Sequence, residues 1–136
     1  MKRSPIVFFL LLLIHPLVIQ AQETDKNYKV ACIGFYNLEN LFDTENDPKI
    51  NDEEFLPSGT KQYTSEVYRD KLNNLSTVIS QLGMDDSPDG LAILGVAEVE
   101  NRKVLEDLAA MPKLKERDWK IVHYDSPDLR GVDVAL

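Results

Sequence analysis

Leu91-Ala92-Ile93-Leu94-Gly95-Val96-Ala97-Glu98-Val99-Glu100-Asn101 holds an apolar run, Leu91 to Val96, that ends abruptly in carboxylates. A run of this length and composition reads as a buried β-strand. An ionised carboxylate at the end of such a strand is costly unless it is paired or meets a cation. The pattern therefore carries both a structural expectation and a chemical one.

On the N-terminal side, Tyr28 to Tyr36 is rich in β-branched and aromatic residues (Val30, Ile33, Phe35, Tyr36) and reads as another strand. It is nearly apolar on both faces, which predicts a central position in a sheet. Asn37 to Thr60 has no steady period and carries Asp43, Glu45, Asp47, Asp52, Glu53 and Glu54 with two prolines; it is expected to be a long loop of the kind that borders a site. Thr64 to Leu82 predicts a helix, with Thr64 as N-cap, Glu66 in its first turn and Gly83 as its stop. Val67, Leu72, Leu75, Val78, Ile79 and Leu82 fall on one stripe.

Asp85 to Gly90 is a turn before the run at Leu91. After it, Arg102 to Ala110 reads as a short helix facing inward through Val104, Leu105 and Leu108, and Pro112 closes it. Trp119 to Tyr124 is expected to be a third strand. Ser126-Pro127-Asp128 is a turn, and Val132 to Leu136 starts a fourth strand. This alternation predicts an α/β layered domain. The last strand has no closing turn, cap or polar tail, and the expectation is that residues 28–136 form the N-terminal part of a longer domain.

The 136 residues carry 15 Lys+Arg against 23 Asp+Glu, a net charge of −8, with no basic stripe. That balance excludes a histone-like or basic-arm binder of nucleic acid. It leaves open an enzyme that meets phosphate through a metal ion, because the ion supplies the positive charge. At 43% hydrophobic and 8% aromatic residues the chain is not disordered in bulk. One cysteine, Cys32, excludes an internal disulfide and a Cys-based zinc cluster. At the N-terminus, Met1-Lys2-Arg3, the unbroken apolar run Ile6 to Ile14, and Ile19-Gln20-Ala21 read as a signal peptide over residues 1–21, followed by a polar lead-in over 22–27. The run is too short for a stable membrane span, and His15 and Pro16 interrupt it. The expected localisation is secreted or periplasmic, and no protein partner is implied.

Asn37 and Glu39 follow the first strand, and Glu98 follows the second. In open α/β sheets, ligands collect beyond the carboxyl ends of strands. A hard oxygen site of one or two carboxylates suits Mg²⁺. The bland reading of Glu98 is a capping or salt-bridged loop residue. Asp43, Glu45, Asp47 and Glu54 mimic the spacing of an EF-hand loop, but Pro48 occupies the position where that loop needs positive φ. A solvated acidic loop with weak Ca²⁺ affinity is the better reading. Ser58 and Ser65 have no histidine placed for a triad.

Three segments in order carry a family resemblance. They are Phe35-Tyr36-Asn37-Leu38-Glu39-Asn40-Leu41-Phe42-Asp43, Leu94 to Asn101, and Ser126-Pro127-Asp128-Leu129-Arg130-Gly131-Val132-Asp133-Val134-Ala135-Leu136. Together they resemble the N-terminal half of the endonuclease/exonuclease/phosphatase superfamily, the deoxyribonuclease I-like fold. The resemblance implies a four-layer α/β sandwich of which this chain is roughly the first half. It implies a phosphodiester substrate, nucleic acid included, and Mg²⁺, or Mn²⁺, as cofactor. Glu98 matches the metal-binding Glu, and Glu39 lies near a second acidic ligand. Asn37 matches the Asn beside metal and phosphate. Arg130 falls in a substrate-side loop, where a guanidinium can contact phosphate; a surface ion pair with Asp128 or Asp133 is the alternative.

The family's second half supplies an Asp-x-Asn motif and a terminal Ser-Asp-His motif that activates water. No Asp-x-Asn follows Glu98 here, and Ser-Asp-His does not occur. His123, the single histidine beyond residue 21, lies in the wrong motif for that role and is expected to be packed or on the surface. The isolated chain is therefore expected to be inactive. A non-catalytic secreted binding module derived from the same fold is the alternative.

Overall fold

The computed structural model describes residues 28–136; the proposed signal peptide and lead-in lie outside them. Strand β1 (Cys32–Leu41) leads through a long connection to helix α1 (Ser65–Ile79), strand β2 (Leu91–Val99), helix α2 (Arg102–Ala109) and the short strand β3 (Asp133–Ala135). The sheet order is β1-β2-β3. β1 and β2 are parallel and β2 and β3 antiparallel. The parallel pair follows from the crossover through α1, since strands joined by a helix return in the same direction. The domain is thus α/β.

β1 is an edge of the described sheet, and β2 takes the central place expected of β1. The reason lies in its two faces. Leu38 and Leu41 turn into the core, whereas Ile33 and Phe35 stand 72% and 69% exposed on the other side. The Phe35 ring lies over Gly95 on β2, where a Cβ would come within 2.8 Å of it. Ile93, Val134 and Leu136 continue this apolar outer face, which the described residues leave uncovered.

The inner face packs against both helices. Val96, Val99 and Ala135 from the sheet meet Leu72, Leu75 and Ile79 of α1 and Val104, Leu105 and Leu108 of α2. The Thr64 hydroxyl caps α1 by accepting from the Val67 N–H, and the Asn101 side chain caps α2 by accepting from the Val104 N–H at 3.1 Å. α1 ends at Ile79, a turn short of Leu82. Val67 and Val78 do not reach the core; they line a groove beside β1. Tyr68 takes the buried place instead, because its hydroxyl has a partner in the Asp107 carboxylate at 2.9 Å.

Two segments differ from the sequence expectation. β1 runs on to Leu41, past the point where a loop was expected at Asn37, because Glu39 and Asn40 adopt positive φ and bulge the strand so that Leu38 and Leu41 both face inward. Trp119–Tyr124 is not a strand. It touches β3 through a single bridge at His123 and a reciprocal backbone pair between Val122 and Leu136. The Ile121 carbonyl is taken by the Arg102 guanidinium of α2 at 3.1 Å, which keeps it out of any ladder.

The acidic connection keeps Glu45, Glu53 and Glu54 in solvent but is built on a buried aromatic base. Phe42 stacks on Phe55 with centroids 4.1 Å apart, Tyr63 meets Phe55 edge-on, and the Lys61 ammonium sits over the Phe55 ring. Asp43 and Asp47 each spend one carboxylate oxygen on an N–H two residues ahead, and Asp52 accepts from the Asp47 N–H. Asp43 and Asp52 are buried.

Candidate functional site

β1 and β2 end side by side, with Asn37 opposite Ala97 in the parallel register. Alternation places Asn37 on the outer, exposed face. Glu98 follows Ala97 and adopts a positive φ of 59°, and β1 answers with φ of 53° at Glu39 and 62° at Asn40. Left-handed backbone in L-residues costs about 1–2 kcal/mol each. Three such residues at the ends of two adjacent strands mark a place where backbone strain is concentrated, as it is at many ligand sites.

The strain brings two side chains together. Asn37 Nδ2 donates to Glu98 Oε1 at 2.9 Å. The Glu39 N–H donates to Asn37 Oδ1 at 2.7 Å. These two bonds fix which end of the amide is oxygen and which is nitrogen, since a flipped amide would set oxygen against carboxylate and NH₂ against N–H. Glu98 Oε2 accepts no hydrogen bond from the described residues, and neither does the Glu39 carboxylate. The donor set is therefore hard oxygen at a strand end, with at least one carboxylate oxygen to spare. That fits a cation such as Mg²⁺, which takes few protein ligands and keeps its waters. Lys71 of α1 stands behind the bulge and donates to the carbonyls of both Glu39 and Asn40.

Arg130 does not join this pair directly. Its guanidinium is forked onto Asp128, with Nη2 to Oδ2 at 2.6 Å and Nε contacting both carboxylate oxygens. The Arg130 hydrogen bonds hold the Asp128 carboxyl below the usual range, and the guanidinium itself is pushed up, mainly by its bonds to Asp128 and more weakly by the charge of Glu98. The loop that carries it is tethered, because Asn51 donates its N–H to the Leu129 carbonyl at 2.8 Å.

His123 is packed. Its Nε2 lies 2.9 Å from Asp133 Oδ2, and the two side chains are 3% and 6% exposed. Asp133 also accepts the Ser126 N–H at 2.8 Å. With Asp125 these residues form the one group of three or more His, Cys, Asp or Glu side chains among the described residues whose ligand atoms converge. Its central bond is already spent between His123 and Asp133, and Asp125 stands in solvent, so these bonds fasten the segment from His123 to Ser126 onto β3.

Glu100 is a titratable group that sequence reasoning passed over. It lies buried beneath the site, where its carboxylate accepts the Asp43 N–H at 2.7 Å. Burial pushes its carboxyl up to about 7; the Asp43 N–H opposes that, while the charges of Asp43, Asp52 and Asp47 add to it. Its own N–H donates to the Leu41 carbonyl at 3.0 Å. Glu100 thus joins the end of β2 to the start of the acidic connection. The Tyr63 hydroxyl is pushed up to about 12, first by burial and then by Glu100 and Asp43. Two carboxylates spaced by one residue, Glu98 and Glu100, were the available signal. On a strand they face alike, and only the bulge at Glu98 separates their roles.

A family model described as the endonuclease/exonuclease/phosphatase family matches residues 32–136 of the chain. No curated protein and no solved structure matches it.

Proposed function

Because the chain belongs to the endonuclease/exonuclease/phosphatase family over residues 32–136, we propose that it contributes the metal- and phosphate-binding strand ends of a Mg²⁺-dependent phosphodiester hydrolase. The observation that carries this reading is the Asn37–Glu98 hydrogen bond at the carboxyl ends of β1 and β2. In this reading Glu98, with Glu39 as the second carboxylate, would hold Mg²⁺ or Mn²⁺. With the ion bound, charge that develops on the phosphoryl oxygens is neutralised. Asn37 has one Nδ2 hydrogen on Glu98 and a second free to donate to a phosphate oxygen, in an orientation fixed by the Glu39 N–H. Arg130 would leave Asp128 to contact phosphate, a bidentate exchange of one oxyanion for another.

The proposal extends to the whole protein. The apolar outer face built by Ile33, Phe35, Ile93 and Val134 supports a second sheet packed against it, as in a four-layer sandwich. The residues that activate water are proposed to belong to a second half, with its Asp-x-Asn and Ser-Asp-His motifs, and the 136 residues alone are proposed to be inactive. The apolar run Ile6 to Ile14 supports secretion or periplasmic export, with cleavage near Ala21. Among the described residues no helix is long and apolar enough to cross a membrane. The substrate class is a phosphodiester, nucleic acid included.

Replacing Glu98 by Gln in the complete protein tests the assignment. Metal-dependent turnover should fall by at least about a hundredfold, the scale of losing a principal electrostatic group. Turnover near wild type would sink it.

A further inference from the structure

We propose that Lys71 is a positioning residue that keeps the Asn37–Glu98 pair in its cation-binding arrangement; this rests on the reading of that pair given above. The two residues that end β1 in left-handed backbone, Glu39 and Asn40, have carbonyls that converge on one atom. Lys71 Nζ donates to both, to Asn40 at 3.0 Å. An ammonium half-withdrawn from water would ordinarily meet a carboxylate. Here it is spent on two main-chain carbonyls of the bulge, and α1 supplies it from its second turn, next to the buried Leu72 and Leu75.

The consequences run in one direction. Holding the Glu39 and Asn40 carbonyls toward α1 fixes the Glu39–Asn40 and Asn40–Leu41 peptide planes, and with them the left-handed backbone at Glu39 that orients the preceding Leu38–Glu39 plane. The Glu39 N–H then points back at Asn37 Oδ1, at 2.7 Å. With Oδ1 occupied, Nδ2 faces Glu98 Oε1, at 2.9 Å. Lys71 touches neither Asn37 nor Glu98 by a hydrogen bond, so it acts through the bulge. It also lines, with Asn37, Glu39, Asp70 and Asn74, the groove of about 490 Å³ that runs from the pair along the edge of β1.

Electrostatics and positioning predict opposite signs, which makes the inference testable. The charges of Glu39 and Glu98 reach the Lys71 ammonium. If it were only a nearby cation, removing it would tighten the binding of a second cation. If it orients the site, removing it loosens binding, and groups that orient ligands typically govern tenfold to about a hundredfold in metal affinity.

The experiment is calorimetric titration of Mn²⁺ into the full chain as wild type, Lys71→Met, Lys71→Arg and Glu98→Gln, each checked for a cooperative melt. The expected result is binding by wild type, loss of about tenfold or more in Glu98→Gln and in Lys71→Met, and recovery to within about threefold in Lys71→Arg, whose guanidinium can still donate to two carbonyls. Lys71→Met binding as tightly as wild type, or more tightly, while Glu98→Gln is weakened, overturns the role of Lys71 and leaves the cation site standing. Glu98→Gln binding like wild type, or wild type that does not bind Mn²⁺, overturns the site and this inference together. If Lys71→Met does not melt cooperatively, Lys71→Gln, which also removes the charge, decides: a loss of about tenfold in Mn²⁺ affinity upholds the proposal, and affinity equal to or tighter than wild type overturns it.

Discussion

Asn37 and Glu98 lie 61 residues apart in sequence and 2.9 Å apart at the ends of two parallel strands. The bond is charge-assisted, and its donor is oriented from behind by the Glu39 N–H.

Asn37→Asp should turn this attraction into repulsion. The new carboxylate would face Glu98 Oε1 and also receive the Glu39 N–H, so one of the two carboxylates loses its partner. A stability loss of about 1.5–3 kcal/mol at neutral pH is expected, the range for a hydrogen bond to a charged group. Urea unfolding checks it, and a midpoint equal to wild type would show that the bond contributes nothing.

Glu100 should make stability fall as pH rises. Its carboxyl titrates near 7 in the folded chain against 4.5 as the ordinary value. Between those values the folded state keeps a proton that the unfolded state has released. The associated stability is therefore fully present below pH 4.5, is lost as pH climbs toward 7, and changes no further above it, with a slope of at most about 1.4 kcal/mol per pH unit. Glu100→Gln keeps an oxygen for the Asp43 N–H and removes the ionisation. Urea midpoints at pH 5, 6, 7 and 8 should show the slope for wild type less the variant; parallel curves would refute it.

Gly59→Ala tests how tightly the acidic connection is built. A Cβ at Gly59 would lie 2.1 Å from the Glu53 carbonyl oxygen and 2.8 Å from that of Glu54, both main-chain atoms that cannot step aside. A loss of about 2–3 kcal/mol is expected, the upper part of the range for overpacking. A thermal melt unchanged from wild type would mean that the connection relaxes freely.

Asp133→Ala should cost more than its size suggests. It strips the partner from buried His123 and from the Ser126 N–H in one step. Leaving such groups unpaired costs about 2–3 kcal/mol. The loss should appear in hydrogen exchange as faster exchange at Val122 and Leu136, whose N–H groups bond each other's carbonyls. Protection at those amides equal to wild type would place the anchor elsewhere.

The helices were readable because their signals are local. Thr64 and Asn101 are capping residues at the starts of periodic apolar stretches, and each accepts its helix N–H. Trp119–Tyr124 has strand composition and yet forms no strand, because an α2 arginine captures its Ile121 carbonyl. β1 was read too early, over Tyr28–Tyr36 where the strand is Cys32–Leu41, since nothing in Glu39 or Asn40 announces left-handed backbone.

What the sequence alone determined is the α/β class and the succession of the first two strands and the two helices, because periodicity, capping and burial act over a few neighbouring residues. Only the tertiary structure decided that Asn37 lies beside Ala97, that Lys71 grips the carbonyls of Glu39 and Asn40, and that Glu100 is buried under Asp43 while Glu98 faces out. Each of those is a hydrogen bond or register between residues at least 31 positions apart. Such contacts exist only once the strands and helices have packed, when buried main-chain and carboxylate groups must find partners that local propensity does not specify.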